Sequence, residues 1–205
     1  MAIEKTVFSG LTVSTRGAEI VAWLTANGSE FFDSVEQVSG PNRVKCYKGD
    51  KVALEISLGT GSDKTKVYAA NGAVSDAAMN NSQDWDYGIK TSKGLLIYYN
   101  GQTYKGCVAI VKTNEGGTFI ARRYNGWCGA DFDNSAAIES YSNTGTLPWN
   151  LQSDMTVLAP IVASHADTYA DGLYLQLFAQ YPNTDSILTI NGKKYYSDGV
   201  FALEE

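Results

Sequence analysis

The stretch Ile187-Leu188-Thr189-Ile190-Asn191-Gly192-Lys193-Lys194-Tyr195-Tyr196-Ser197-Asp198-Gly199-Val200-Phe201-Ala202-Leu203 decides the fold. Three short runs rich in apolar and aromatic residues are parted first by Asn-Gly and then by Ser-Asp-Gly. Asn-Gly between such runs is the strongest short-range hairpin signal, because both central residues of a type I′ turn need positive φ. The segment therefore predicts a three-stranded antiparallel meander, with Asn191, Gly192 and Gly199 as its structural turn positions.

The same grammar extends upstream. Val44 to Tyr47 and Val52 to Leu58 flank Lys48-Gly49-Asp50-Lys51, a hairpin. Leu95 to Tyr99 leads into Asn100-Gly101, with a strand resuming at Gln102. Cys107 to Lys112 and Thr118 to Arg123 flank a Gly-rich turn at 113–117. Leu173 to Tyr181 is apolar enough for a central strand, whereas Pro160 demotes Val157 to Ala163 to an edge or a bulged strand. The polar segments 75–87 and 131–148 read as loops. Only residues 17–26 read as helix: Ile20, Val21, Trp23 and Leu24 share one face, and Asn27-Gly28 suits a left-handed stop. Phe31 and Phe32 either add a turn or begin the next element.

The expectation is a mostly β protein, an antiparallel β-sandwich or barrel with one N-terminal amphipathic helix and a C-terminal β-meander. Residues 1–40 would form an N-terminal arm and helix, and 41–205 a β-rich body, with a single domain overall as the alternative. Ile20, Trp23 and Leu24 are candidates for docking this helix on a neighbouring subunit.

Composition narrows the function. In a chain of 205 residues, 44% are hydrophobic and 19% charged, so a folded core is expected. The net charge of −6 supplies no basic surface to displace counterions from a phosphate backbone, which argues against nucleic acid and anionic membranes as partners. No apolar run reaches the roughly 18 residues of a membrane-spanning helix. Met1-Ala2-Ile3-Glu4-Lys5 lacks the basic and apolar regions of a signal peptide, so synthesis in a host cytoplasm is expected. Cys46, Cys107 and Cys128 are an odd number without CxxC spacing, unlike a disulfide framework or a cysteine-rich zinc site.

Motifs for catalysis are sparse. A thiol–imidazole pair could be drawn from Cys107 or Cys128 with the single histidine, His165, and Asp167, giving a cysteine-dependent hydrolase as one alternative. Asp131-Phe132-Asp133-Asn134 opens like a calcium loop, but its sixth position is Ala136 instead of Gly and its twelfth is Ser142 instead of Glu. A looser calcium site including Asp84 and Asp86 stays open, as does carboxylate-pair chemistry on a glycoside. Nucleotide, serine-hydrolase and zincin motifs do not occur. The expectation is a non-enzyme with no cofactor, no catalytic residue and no assigned metal.

Aromatic residues make up 12% of the chain. Trp85, Trp127 and Trp149 lie in or beside loop-like segments with Tyr87, Tyr124 and Tyr141. Rings beside Asn and Asp suit glycan or protein recognition, so the three tryptophans are candidate ligand-binding residues on a host-surface glycan module. The alternative is that they plug the ends of the β body.

Phe178-Ala179-Gln180-Tyr181 followed by Leu188 to Leu203 resembles the ending of structural virion proteins, head or tail, from phages and prophages of gut Gram-positive bacteria. There an apolar strand ending near Phe-x-Gln-Tyr precedes Leu-Thr-Ile-Asn-Gly-x-x-Tyr-x-Ser-[Asn/Asp]-Gly and a short last strand. Met1-Ala2-Ile3 through Val21-Ala22-Trp23-Leu24 also looks like their N-terminal arm and helix. The likeness covers about a quarter of the chain and carries over only turn positions. It implies a non-catalytic particle component, tail or capsid-associated, localised to the virion, whose partners are copies of itself and other virion proteins.

Overall fold

A computed structural model describes residues 2–38, 42–58, 65–68, 74–79, 85–100, 105–113, 116–123, 126–131, 137–142, 157–162, 169–177, 185–199 and 201–205. The chain is mostly β, and among the described residues its strand pairs are antiparallel and no sheet is closed. Among the described residues there is one helix, α1 (Val13–Asn27), and it does not reach the length needed to cross a membrane.

The helix starts four residues earlier than its apolar face predicts. Thr12 caps it: the Thr12 hydroxyl accepts from the Thr15 N–H at 3.2 Å, and the Thr15 hydroxyl accepts from the Thr12 N–H at 3.0 Å. This is a reciprocal capping box with Thr in place of the usual Glu or Gln, so the usual signature does not announce it. The other end also differs from the left-handed stop expected at Asn27-Gly28. Gly28 has φ −106° and donates to the Leu24 carbonyl, while the Asn27 side-chain amide donates to the Trp23 carbonyl. Phe31 and Phe32 continue as a turn on the Gly28 carbonyl, and both are buried.

A smaller sheet runs in the order β2 (Ser34–Val38), β3 (Arg43–Lys48), β4 (Lys51–Ser57), β5 (Thr65–Tyr68) and β6 (Val74–Met79). Gly49, at φ +56°, turns the β3–β4 hairpin as its sequence predicts. β6 lies inside the segment expected to be a loop. Its Ser and Ala residues carry little strand propensity, and its pairing with β5 forms it instead.

The larger sheet contains β1 (Glu4–Val7), β7 (Trp85–Lys90), β8 (Gly94–Asn100), β9 (Lys105–Thr113), β10 (Gly116–Arg123), β11 (Gly126–Asp131), β12 (Ala137–Ser142), β13 (Val157–Val162), β14 (Tyr169–Leu177), β15 (Ser186–Ile190), β16 (Lys193–Ser197) and β17 (Phe201–Glu204). Its main path is β1-β7-β8-β9-β14-β17-β16-β15. β12 occupies part of the segment expected to be a loop at 131–148. β13 pairs with β14 alone in this sheet and its register breaks between Pro160 and Val162, the edge position and irregularity that proline imposes. The C-terminal meander is present as predicted: Asn191 and Gly192 take φ +53° and +78° between β15 and β16, and Gly199 takes φ +88° before β17. Asn100 pairs with Lys105, and Gly101, on which the predicted Asn-Gly turn falls, lies outside the described residues.

β8 and β9 are buried on both faces, which explains their near-continuous apolar runs. Leu95, Ile97, Tyr99, Val108 and Ile110 pack with Ile20, Trp23 and Leu24 of α1 and with Val44, Leu54 and Ile56 of the smaller sheet. On the opposite face, Leu96, Tyr98, Cys107, Ala109 and Val111 pack with Leu173, Tyr196, Phe201 and Leu203. The strands β14 to β17 therefore fold back over β7 to β9, joined to them where Thr113 pairs with Ala170. A bulge in β7 makes this two-sided burial possible. Trp85 pairs with Tyr99, but Tyr87 pairs with Tyr98, so Asp86 is the extra residue and Trp85 and Tyr87 face opposite layers.

The N-terminal residues pair with later strands: β1 pairs with β7, and β2 pairs with β3 across the boundary expected at residue 40. Ile20, Trp23 and Leu24 are not docking residues: they are 0%, 6% and 0% exposed and lie in the chain's own core. An amphipathic stripe needs an apolar surface, and two sheets of the same chain supply it.

Candidate assembly edge

The outermost strands of the main path, β1 and β15, meet on one flank of the molecule. Directly opposed residues of an antiparallel pair share a face, so pairing assigns each side chain to a layer. Val7 opposes Tyr87 and Lys5 opposes Ile89, both members of the inner cluster. Ile187 opposes Tyr196, a member of the same cluster. Lys5 and Val7 on β1, and Ile187 with the preceding Asp185, therefore point toward the space between the two layers. That space is not sealed at its mouth: Val7 is 66% and Ile187 55% exposed.

A polar cluster spans the mouth. The Lys5 ammonium lies 3.1 Å from Asp185 Oδ2 and 3.8 Å from the centroid of the Tyr87 ring. The Tyr87 hydroxyl donates to the Asp185 carboxylate at 2.9 Å and lies 3.4 Å from the Tyr196 hydroxyl. Behind it Tyr87 stacks on Tyr98, with ring centroids 4.7 Å apart, and Tyr98 meets Tyr196 edge-on. Burial, and then the hydrogen bond and charge of Asp185, push the Tyr87 hydroxyl pKa well above its ordinary value. Burial and the bond to Tyr87 do the same for Tyr196. Both phenols thus stay neutral donors, and the arrangement is a fastening across the mouth with apolar residues beside it.

The buried charged groups serve the fold. Arg16 donates from Nε to the Gly10 carbonyl at 2.9 Å and from a terminal nitrogen to the Trp85 carbonyl. Glu55 pairs with Arg43 and, at 3.8 Å, with Lys45. Asp198 accepts from the Phe201 N–H at 2.8 Å, closing the last turn.

Of the three tryptophan candidates, Trp85 is the one whose side chain lies among the described residues. Trp85 is fully buried against Tyr99, 5.2 Å between ring centroids, so it presents no face to a glycan. The bulge at Asp86 places it in the layer with α1, opposite that of Tyr87. Tyr87 is likewise buried within the inner cluster. Trp127 pairs through its backbone with Arg122 and Tyr141, its side chain lying outside the described residues, as do Trp149 and Tyr124. Of the thiol candidates, Cys107 is buried in the inner cluster, and His165, Asp167 and the Cys128 side chain lie outside the described residues. Asp84, Asp133 and Asn134 also lie outside them. Among the described residues, no group of three or more His, Cys, Asp or Glu side chains is placed to hold a metal ion.

Lys5 and Asp185 stand 180 positions apart in the chain. Only the pairing of β1 with β7 and the return of the meander bring them together, and no local signal marks either residue. No known family model, curated protein or solved structure matches this chain.

Proposed function

We propose that the chain is a non-catalytic structural protein of a bacteriophage particle, tail or capsid-associated, that joins copies of itself and other virion proteins through the β1–β15 flank. The observation that carries this reading is the unsealed mouth between two sheet edges, rimmed by Val7 and Ile187. Free edges offer unpaired backbone groups and are association sites that regular assemblies exploit. Exposed aliphatic side chains beside them add the apolar area that an interface core needs. The layers β7–β9 and β14–β17 are read as the two halves of a sandwich.

Three further points support the reading. The meander that forms one edge is the segment that resembles virion proteins. Among the described residues, the buried charged groups Arg16, Glu55 and Asp198 are engaged in holding strands and turns. The net charge of −6 disfavours nucleic acid and anionic membranes as partners. The protein is made in the host cytoplasm and ends in the virion.

Mass spectrometry of gradient-purified particles from a strain carrying the gene tests this directly. Peptides of the chain should sediment with the particles in many copies per genome. Recovery only in the soluble fraction of the lysate would overturn the proposal.

A further inference from the structure

We infer that Asp185 is a latch: it fastens β1 to the C-terminal meander, so that β1 is a strap that opens as a unit while the rest of the molecule stays folded. The inference is conformational and stands apart from the proposed role in a particle.

β1 is weakly held on physical grounds. All four of its residues, Glu4 to Val7, are exposed, so the strand itself buries little apolar surface. Just before it, Ile3 is only partly buried against the inner cluster. Along one side it pairs with β7 through four residues. The ladder continues to Phe8, whose N–H donates to the Asp86 carbonyl at 2.8 Å. Because hydrogen-bonded pairs alternate in an antiparallel ladder, Thr6 and Glu4 turn their backbone groups toward β7, and Lys5 and Val7 turn theirs to the open edge.

Beyond Val7 the hold changes abruptly. Phe8 is buried, with its ring edge-on to Trp23 at 5.9 Å. The Ser9 and Gly10 N–H groups each donate to Glu19 at 2.8 Å. A strand exposed throughout thus adjoins a firmly anchored segment, and Phe8 is the hinge between them.

What holds the strap side-on is the Asp185 carboxylate. It receives Lys5 of β1 and the Tyr87 hydroxyl of β7, and it stands one residue before β15. Three elements meet at this one side chain, and removing it takes away the ion pair that ties β1 to the meander, leaving β1 held by its short ladder with β7 and by Lys5 over the Tyr87 ring. An opened strap uncovers the β7 edge at Gly88 and Lys90, the partners of Thr6 and Glu4.

Amide hydrogen exchange read residue by residue on the full chain tests the latch. Exchange at Thr6 reports strap opening, and exchange at Cys46 and Leu54 in the smaller sheet reports larger openings. Asp185→Ala should speed Thr6 exchange about two- to fivefold, because the Lys5 ion pair is lost, and leave Cys46 and Leu54 unchanged. Lys5→Gln should act in the same direction, and the two changes together should have less effect than the sum of each alone, since they share the ion pair and Lys5→Gln adds only the loss of the Tyr87 ring contact. Lys93→Gln, which breaks the separate Lys93–Asp171 pair, should leave Thr6 unaffected. In the unmodified protein, raising the salt concentration should speed Thr6 exchange selectively, so the test survives a variant that folds poorly. Unchanged Thr6 exchange in Asp185→Ala, or a rise shared equally by Cys46 and Leu54, would overturn the inference.

Discussion

Gly106 lies directly opposite Tyr99 in the β8–β9 ladder, and a Cβ built on Gly106 would stand 1.8 Å from Tyr99 Cζ. The ring lies across the glycine and meets Trp85 on its other side. The strand thus tolerates a residue of poor strand propensity because the neighbouring aromatic covers the gap.

Gly106→Ala should therefore destabilise, although alanine is the better strand residue elsewhere. Forcing the Tyr99 ring to move should cost about 1–3 kcal/mol, the range for overpacked cores. Adding Tyr99→Leu should recover part of the loss. Urea unfolding monitored by circular dichroism checks this. A Gly106→Ala variant as stable as the parent would contradict the packing.

Trp85 gives a graded expectation. Trp85→Ala should lose about 3–5 kcal/mol through the cavity it leaves. Trp85→Phe should lose much less, within about 1 kcal/mol of the parent. Its indole Nε1 is buried without a hydrogen-bond partner among the described residues, and phenylalanine removes that penalty while keeping most of the ring. Chemical denaturation of both variants checks the order. Parental stability in Trp85→Ala would return the residue to the surface.

The fold was more legible in the sequence than the flank. Asn191-Gly192 and Gly49 sit in hairpins whose turn chemistry reads locally. The strands β8 and β9 reveal themselves by apolar runs. By contrast β1 is Glu-Lys-Thr-Val, four residues with two charges, and only its pairing partner makes it a strand. The helix start was hidden because Thr12 and Thr15 act through capping, which apolar periodicity does not register. Trp85 read as a loop aromatic because it follows a polar segment, and the long-range pairing of β7 with β8 that buries it leaves no compositional mark. The meeting of Lys5 with Asp185 depends on the return of the whole chain, which no local pattern encodes.

Glu19 sets an acid limit on the segment leading into α1. Burial alone would raise its pKa, but hydrogen bonds from Gly10 and Ser9, with help from Arg16, together outweigh it and hold it below the ordinary value. A lowered acid pKa means the contribution is fully present above the ordinary glutamate range and is lost as pH falls through the lowered value. Glu19→Gln should therefore flatten the loss of melting temperature between about pH 5 and pH 3 relative to the parent. Parallel curves for the two proteins would rule out this role.

The thiols should be unreactive in the native state. Cys46 and Cys107 are both fully buried, and burial pushes the Cys46 pKa far above its ordinary value. Of the chain's 3 cysteines, at most one should react with an aromatic disulfide reagent at neutral pH before denaturant is added. Native labelling at Cys46 or Cys107, mapped by peptide mass, would contradict their place in the core.

Association through the exposed rim is the central claim, and light scattering on size-exclusion fractions of the 22.2 kDa chain over a range of concentrations measures it most directly. The parent should form a discrete multimer whose mass falls on dilution. The double variant Val7→Lys/Ile187→Lys, with unchanged circular dichroism, should remain monomeric at every concentration. A parent that stays monomeric throughout, or a double variant that assembles as the parent does, would contradict the account.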